Sequence, residues 1–298
     1  MEDAVNKAGV LKANMELSDS IFFQRTVLIA TNHEKDVAVA PVLREKFQLN
    51  VIVPEDFNTD RFGTFSGEIE RADSPLDAAR RKCEAASKAY NTNLVIASEG
   101  SFGPHPTLFF VPADDEILLL TDYENNLEIA VREVSTQTNF SGKVVKSIEE
   151  VQAFAEHVGF PNHKVILRKA DKENSHIVKD ISDWDELLMT AELFINNYGS
   201  LFVETDMRAM NNPTRMSVIA KAAQKLAALM LSKCPNCSTP GFDVGEIVPG
   251  LPCSLCSAPT KSTLKKVYIC KKCNYNKEEY YPHKKQYEEP MYCDWCNP

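Results

Sequence analysis

The sequence predicts an α/β protein with a mixed central sheet flanked by helices, followed by a small C-terminal zinc-ribbon domain. Short runs of β-forming residues alternate with amphipathic helical segments up to about residue 231. Eight of the nine cysteines then fall in four C-x-x-C pairs within residues 234–298. We therefore divide the chain into an N-terminal extension at residues 1–20, an α/β body at 21–232 and a zinc-binding domain at 233–298.

Alternation and capping residues place the elements of the body. Strands are predicted at residues 25–30, 50–53, 94–98, 116–121, 127–134, 163–170 and 200–206. Helices are predicted at residues 74–90, 147–158, 183–199 and from Asn212 to about Leu231. The polar stretch at residues 54–73 is predicted to be a long loop, a kind of segment that often carries function.

Composition is that of an ordinary soluble globular protein, because 44% of the residues are hydrophobic and 25% are charged. No apolar run is long enough to cross a bilayer, and the N-terminus lacks the pattern of a signal peptide. We therefore expect a cytoplasmic protein without membrane contact. The net charge of -9 argues against broad coating of nucleic acid.

The four C-x-x-C pairs are the most specific signal in the chain. Two such pairs supply the four thiolates of a tetrahedral zinc site, and a chain without a secretion signal disfavours disulfides. We expect two structural Zn2+ ions, held by Cys234, Cys237, Cys253, Cys256, Cys270, Cys273, Cys293 and Cys296. Consecutive pairing would use gaps of 15 and 19 residues, which suit zinc ribbons, but the middle gap of 13 residues leaves interleaved or nested pairing open.

Lysines and tyrosines between the cysteines give the tail two interpretations. The 8 lysines of residues 234–298 could bind nucleic acid by charge while the tyrosines stack on bases. Alternatively, the lysines offset the thiolate charge and the tyrosines cover a thin core, and we favour this interpretation. The tail is still expected to serve as a contact surface for nucleic acid, a protein partner or a second copy of the chain.

Four short motifs of the body follow one another in a familiar order. Residues 29–39, IATNHEKDVAV, lead from a strand through T-N-x-x-K, and residues 67–86 join an acidic loop to an Ala/Arg-rich helix. Residues 94–103, LVIASEGSFG, end a strand on a carboxylate and glycine, and residues 200–229 give a strand, Thr-Arg and a long helix. This series resembles the inosine/xanthosine triphosphatase superfamily, which degrades deaminated purine nucleotides.

The resemblance implies an inosine triphosphatase-like fold and Mg2+-dependent hydrolysis of a nucleoside triphosphate or related phosphorylated ligand, with release of pyrophosphate. It assigns Thr31, Asn32 and Lys35 to the ligand phosphates. It also makes Glu99 the acid that holds Mg2+, so that Glu99 and Lys35 are catalytic candidates. Members of this family are usually dimers, and we expect a homodimer.

Three further residues complete the expected site. One of two acids in the long loop, Glu68 or Glu70, could be a second metal ligand or water-activating base, and Glu68 is taken as the candidate. Arg208 and Arg215 are candidate phosphate-binding cations, Arg215 because it follows the start of a helix. Pro41 departs from the family pattern and predicts a late start or a kink in the first helix.

The cysteine-rich tail also lies outside that pattern, and the whole chain resembles an uncharacterised bacterial family that carries the same fusion. Two other functions are therefore kept. The body could sense a nucleotide without cleaving it, with the tail relaying the signal to nucleic acid or protein. It could also be an interaction scaffold without a small ligand.

Overall fold

The computed structural model describes residues 19–57 and 74–298. It divides into two compact units, one ending at Ala227 and the other spanning Ala228–Pro298. The first unit contains mixed sheet and helices, and the second contains the cysteine-rich segment, so the predicted α/β class is confirmed. No helix in the described ranges has the length and apolar character required to cross a membrane.

A five-stranded mixed sheet forms the first half of the body, in the order β2-β1-β3-β4-β5. Its strands are β1 (Thr26–Ala30), β2 (Asn50–Ile52), β3 (Leu94–Pro104), β4 (Pro112–Asp122) and β5 (Leu127–Ser135). Strand β1 is parallel to both of its neighbours, whereas β3, β4 and β5 are joined in antiparallel fashion. Strand β3 runs on to Pro104, beyond its last pairing with β1 at Ala97.

Helices α1 (Asp36–Phe47) and α2 (Pro75–Tyr90) belong to this half of the body. Helix α2 begins as the sequence predicts, because the Ser74 hydroxyl accepts a hydrogen bond from the backbone N–H of Asp77. Helix α1 begins at Asp36 and contains Pro41, so of the late start or kink expected from this proline, the late start is wrong. Proline costs α1 one intrahelical hydrogen bond, and burial of Leu43 and Phe47 holds the helix against the sheet.

A second sheet of four antiparallel strands completes the body, in the order β6-β9-β7-β8. Its strands are β6 (Gly142–Val145), β7 (Val165–Arg168), β8 (Ile177–Val178) and β9 (Leu201–Thr205). Helices α3 (Ile148–Val158) and α4 (Trp184–Tyr198) share an apolar core with these strands. All buried residues of this core lie between Val145 and Val203. The body therefore contains two sheets, whereas the sequence predicts one mixed central sheet.

Helix α5 (Pro213–Leu231) starts at a buried asparagine. The Asn212 side-chain oxygen accepts a hydrogen bond of 3.0 Å from the backbone N–H of Arg215. Its amide group donates a 2.8 Å hydrogen bond to the side chain of Asn139, in the segment that links the two sheets. One side chain therefore fixes both the start of α5 and this linking segment.

The second unit is built on a three-stranded antiparallel sheet of β10 (Asp243–Pro249), β11 (Thr263–Ile269) and β12 (Asn276–Tyr280). Its one apolar cluster centres on Phe242 and two cysteines. All five residues of β12 are exposed. So small a core supplies little hydrophobic stabilisation, which is the situation in which small domains depend on metal sites or disulfides.

Replacing Asn212 with alanine tests the double role of this cap. The variant loses the α5 cap and leaves the half-buried acceptor of Asn139 without its donor, so we expect a loss of about 2–4 kcal/mol in the free energy of unfolding. The control Ser147→Ala removes the solvent-exposed cap of α3 and should cost about 1 kcal/mol. Urea unfolding followed by Trp184 fluorescence, in a Trp295→Phe background, measures both losses, and equal losses would contradict the double role.

Candidate functional site

Each C-x-x-C pair closes a turn with the same backbone hydrogen bond. In all four pairs, the N–H of the residue after the second cysteine donates to the carbonyl of the first, at 2.8–3.0 Å. Three of these following residues, Ser238, Ser257 and Asn274, adopt the left-handed conformation with φ near 58°. The short polar side chains of serine and asparagine can form local hydrogen bonds that help them adopt the conformations of turns.

The eight thiols gather in two clusters by interleaved pairing. One cluster contains Cys234, Cys237, Cys270 and Cys273, and the other contains Cys253, Cys256, Cys293 and Cys296. Of the arrangements that the sequence left open, the structure therefore shows the interleaved one, and the consecutive arrangement does not occur. The first and third pairs form one site, and the second and fourth form the other.

The sulfur atoms of both clusters fit a tetrahedral metal ion. Sulfur–sulfur distances between the two pairs of each cluster are 3.6 and 3.7 Å in the first and 3.6 and 3.9 Å in the second. Four ligands at a zinc–sulfur distance of about 2.3 Å would lie about 3.8 Å apart. The clusters are therefore compatible with two structural metal sites, and four thiolates leave no open position for a substrate.

Backbone amides support the thiolates of the first two pairs. The N–H groups of Asn236 and Leu255 donate to the sulfurs of Cys234 and Cys253, both at 3.4 Å. Donors of this kind orient metal-bound ligands and offset their negative charge.

A short repeat argues against the consecutive pairing, and sequence reasoning missed it. Residues 234–240 read CPNCSTP and residues 253–259 read CSLCSAP, both C-x-x-C-S-x-P. In each segment the first cysteine N–H donates a 2.9 Å bond to the carbonyl five residues later, and the flanking residues form a β-bridge. Because the first two pairs form the same turn, each is expected to supply the first half of its own site. This favours interleaving over the consecutive arrangement, in which both turns would bind one metal.

Double variants distinguish the pairings by metal content. Cys234→Ser with Cys270→Ser damages one site under interleaving and should leave about one zinc per chain. Cys234→Ser with Cys253→Ser damages both sites and should leave almost none. Mass-spectrometric metal analysis of the purified chains measures these contents, and the consecutive arrangement predicts the reverse order.

In the body, Glu99 lies within β3 and not at its end, because the strand continues beyond the predicted residue 98. Its carboxylate is 3% exposed and pairs with the ammonium of Lys82 on α2 at 2.5 Å. Sequence reasoning missed Lys82. Its signal is the spacing of α2, where Lys82 falls on the apolar stripe with Ala79 and Ala86.

The opposite face of the same strands carries a second set of charges. In the antiparallel register, Gly100 lies opposite Glu116 and Phe102 lies opposite Asp114. Because side chains alternate along a strand, Asp114 and Glu116 point away from the face that holds Glu99. Both side chains are fully buried.

Arg215 reaches this face from the first turn of α5. Its Nε donates to Glu116 Oε1 at 2.6 Å, and its Nη1 donates to the carbonyl of Met207. The guanidinium carbon also lies 5.0 Å from the ring centroid of Phe102. These contacts hold a buried arginine in one orientation.

Lys35 approaches from the end of β1. It directly precedes α1, after a turn in which His33 and Glu34 have left-handed backbone conformations. Its ammonium lies 3.9 Å from Glu116 Oε2 and is almost buried. Burial, and next the charge of Arg215, lower the pKa of Lys35 to about 8 against the opposing effect of Glu116.

Asp114 differs from the other buried acids. Neither carboxylate oxygen has a hydrogen-bond partner, although the side chain is 0% exposed. Burial, followed by the charge of Glu116, raises the pKa of Asp114 to about 8. We name Lys35, Asp114, Glu116 and Arg215 the β4 cluster, because both of its acids belong to that strand.

The structure therefore brings two of the expected residues, Lys35 and Arg215, to one carboxylate. Glu99 lies on the other face of the sheet, although its charge still acts on Lys35. Thr31 and Asn32 form the turn before Lys35, where the Thr31 hydroxyl donates to the Asn32 carbonyl at 2.9 Å.

Two other expected residues lie outside these contacts. Arg208 is bound by the carboxylates of Asp206 and Asp180, each at 2.6 Å. Glu68 lies outside the described residues. Sequence reasoning missed Asp114 because β4 was predicted to start at residue 116, which left Asp114 in a loop.

The surroundings of residue 100 explain why a glycine follows Glu99. A Cβ atom at this position would lie 2.3 Å from Arg215 Nη2 and 2.4 Å from Glu116 Oε1. Replacing Gly100 with alanine should therefore displace this ion pair and cost about 1–3 kcal/mol of folding free energy. At Gly103 a Cβ would meet no atom within 4 Å, so Gly103→Ala serves as the control.

Urea unfolding of the two alanine variants measures this difference. The control should change the free energy of unfolding by less than about 0.5 kcal/mol. Equal effects of the two substitutions would mean that the space above Gly100 is not required by Arg215 and Glu116.

Comparison with known proteins places the chain in a family. Residues 82–298 match the family described as Domain of unknown function (DUF6671). Since the match covers well over half of the 298 residues, the chain belongs to this family. The matched region contains both cysteine clusters, Asp114, Glu116 and Arg215, and it begins after Lys35. No curated protein matches the sequence.

Proposed function

We propose that this member of the DUF6671 family binds a nucleoside triphosphate or a related phosphorylated ligand in its body and hydrolyses it with Mg2+, releasing pyrophosphate. The observation that carries this proposal is the meeting of Lys35 and Arg215 at Glu116. Both cations are nearly buried, and because the Lys35 ammonium lies 3.9 Å from Glu116 Oε2, too far for a hydrogen bond, it could also bind the phosphate of a ligand.

The positions of the two cations suit phosphate binding. Lys35 directly precedes α1, and Arg215 is in the first turn of α5. Helix N-termini offer unpaired N–H groups and a positive dipole end, both of which favour phosphate. A guanidinium and an ammonium together could neutralise the negative charge of a polyphosphate.

Buried acids next to these cations fit a divalent ion. Asp114 and Glu116 Oε2 offer carboxylate oxygens without hydrogen-bond partners. Mg2+ is typically held by one or two carboxylates together with substrate phosphates. When bound, such an ion would neutralise phosphate charge. Glu99, the ligand implied by the family resemblance, could take this role only by exchanging its contact with Lys82.

The proposed reaction needs little covalent participation by the protein. A water molecule attacks the α-phosphorus in line, and the bond to the β-phosphate breaks, which yields a nucleoside monophosphate and pyrophosphate. Lys35 and Arg215 would orient the phosphate groups and stabilise the charge that develops on them.

A non-catalytic sensor is the second candidate. The observation that favours it is the close pairing of Glu99 with Lys82 at 2.5 Å, which neutralises an acid expected to take part in hydrolysis. In this case the body would bind the nucleotide without turnover, and the tail would contact nucleic acid or a protein partner.

A panel of nucleoside triphosphates, assayed with Mg2+ for pyrophosphate release by the full zinc-loaded chain, separates the two candidates. Lys35→Ala should lower kcat/KM by about 100-fold, because it removes charge stabilisation at the phosphates. Lys88→Ala is the matched control, since Lys88 is an exposed lysine paired with Glu84 within α2. Glu99→Ala separates the two possible metal ligands: turnover is abolished if Glu99 holds Mg2+ and is retained if Asp114 and Glu116 hold it, and the zinc content is unchanged in both cases.

The assay has three distinct outcomes. Release of pyrophosphate that depends on Lys35 supports the hydrolase. Saturable nucleotide binding without release selects the sensor. Failure of every nucleotide to bind or to raise the unfolding temperature contradicts both candidates.

A further inference from the structure

We propose that Asp114 and Glu116 form the divalent-cation site of the body, on the face of the sheet opposite Glu99. This inference deepens the proposed function by naming the metal ligands, and it relies on that function only for the phosphate that would complete the coordination. The ion would be a hard cation such as Mg2+ or Mn2+, because both ligands are carboxylates.

The two acids are placed as a pair by the strand itself. They lie two residues apart on β4 and therefore project from the same face. Glu116 lies opposite Gly100, and the side chains of Glu116 and Arg215 occupy the place that a side chain at residue 100 would take. Both carboxylates are withdrawn from solvent, so their charge must be balanced from within the protein.

Asp114 is the buried acid of the described body that lacks a direct partner, although the charges of Arg215 and Lys35 act on it. Elsewhere in the described part of the body, Glu99 pairs with Lys82, Asp122 with Arg25 and Asp206 with Arg208. Asp114 has no ion pair there, and neither of its oxygens accepts a hydrogen bond. This orphaned side chain is a second observation, independent of the mere closeness of two acids, that points to a ligand.

Glu116 is only partly satisfied by its cations. Arg215 binds Oε1 at 2.6 Å, whereas Lys35 lies 3.9 Å from Oε2, which is too long for a hydrogen bond. Oε2 is buried without a hydrogen-bond partner. Three oxygens of the pair are thus available to a cation, while Oε1 keeps its contact with Arg215.

Lys35 and Arg215 explain how the metal ion and a phosphorylated small molecule would bind together. An ion between Asp114 and Glu116 would lie beside Lys35 and Arg215, the groups proposed to hold the phosphates. Phosphate oxygens could then bind both the ion and the side-chain cations, which relieves the repulsion between them. Glu99 and Lys82 would form a separate ion pair that supports β3 and α2.

Mn2+ titration of the full zinc-loaded chain, followed by electron paramagnetic resonance of the free ion, tests the assignment. Mn2+ prefers oxygen ligands and reports on the carboxylates, whereas the cysteine sites select softer ions. Asp114→Asn should weaken Mn2+ binding by at least about tenfold. Asp115→Asn, which removes the adjacent carboxylate on the other face where it pairs with Arg132, should leave the affinity within twofold.

Thermal unfolding provides a second measurement that also checks folding. Asp114→Asn replaces a buried acid, whose charged form is disfavoured by burial, with a neutral amide of similar shape, so without added Mn2+ it should unfold at the same temperature as the wild type or higher. Mn2+ should raise the unfolding temperature of the wild type and of Asp115→Asn, but not that of Asp114→Asn.

Several results would overturn the site. These are absence of Mn2+ binding by the wild type, equal affinity in Asp114→Asn, or loss of binding in Glu99→Gln with full binding in Asp114→Asn. If Mn2+ binding depends on Asp114 but no pyrophosphate is released, the proposed hydrolase activity is contradicted and the proposed cation site is retained. If Asp114→Asn releases pyrophosphate at the full rate, the proposed cation site is contradicted and the proposed hydrolase activity is retained.

Discussion

The ion pair between Arg215 and Glu116 is the contact on which the body depends. It joins the start of α5 to the middle of the mixed sheet, and the same guanidinium binds the carbonyl of Met207, just after β9. The pair is buried, so removing either partner would leave an uncompensated charge and cost far more than an exposed pair. Three further features hold this ion pair in place: the absence of a side chain at Gly100, the cap at Asn212 and the ring of Phe102 beside the guanidinium.

The tail obeys a different constraint. With a single small apolar cluster, it has too little buried hydrocarbon to order its loops, and the four cysteine turns compensate by drawing distant segments together. Metal ions held by the two clusters would therefore stabilise the folded state of this unit. The body, by contrast, has extensive apolar cores in both sheets and holds its polar groups inside them.

Local chemistry made much of the fold predictable. Caps at Ser74, Ser147 and Asn212 and alternating strands placed most elements near their observed bounds. The face of the sheet on which a side chain lies and the neighbours of each strand were harder to predict, because the residue pattern of a strand does not identify the strand beside it. Glu99 and Arg215 were both recognised as unusual, yet only the register of β3 with β4 shows that they belong to opposite sides.

The same limit applied to the cysteines. Their spacing established that two four-thiolate sets exist, but gap lengths alone are compatible with several pairings. Lys82 and Asp114 were missed for a further reason: a charged residue on an apolar stripe or beside a predicted loop is ordinarily solvated, and only burial marks these two as exceptional.

Interleaving also governs how the tail can be divided. The second pair of cysteines lies between the two halves of the first set, so no fragment ending before Cys273 contains a complete set. During synthesis, both early turns must wait with their thiols unsatisfied until the later turns emerge. A truncation before Cys273 would leave both sets incomplete, and one between Cys273 and Cys296 would leave only the second set incomplete.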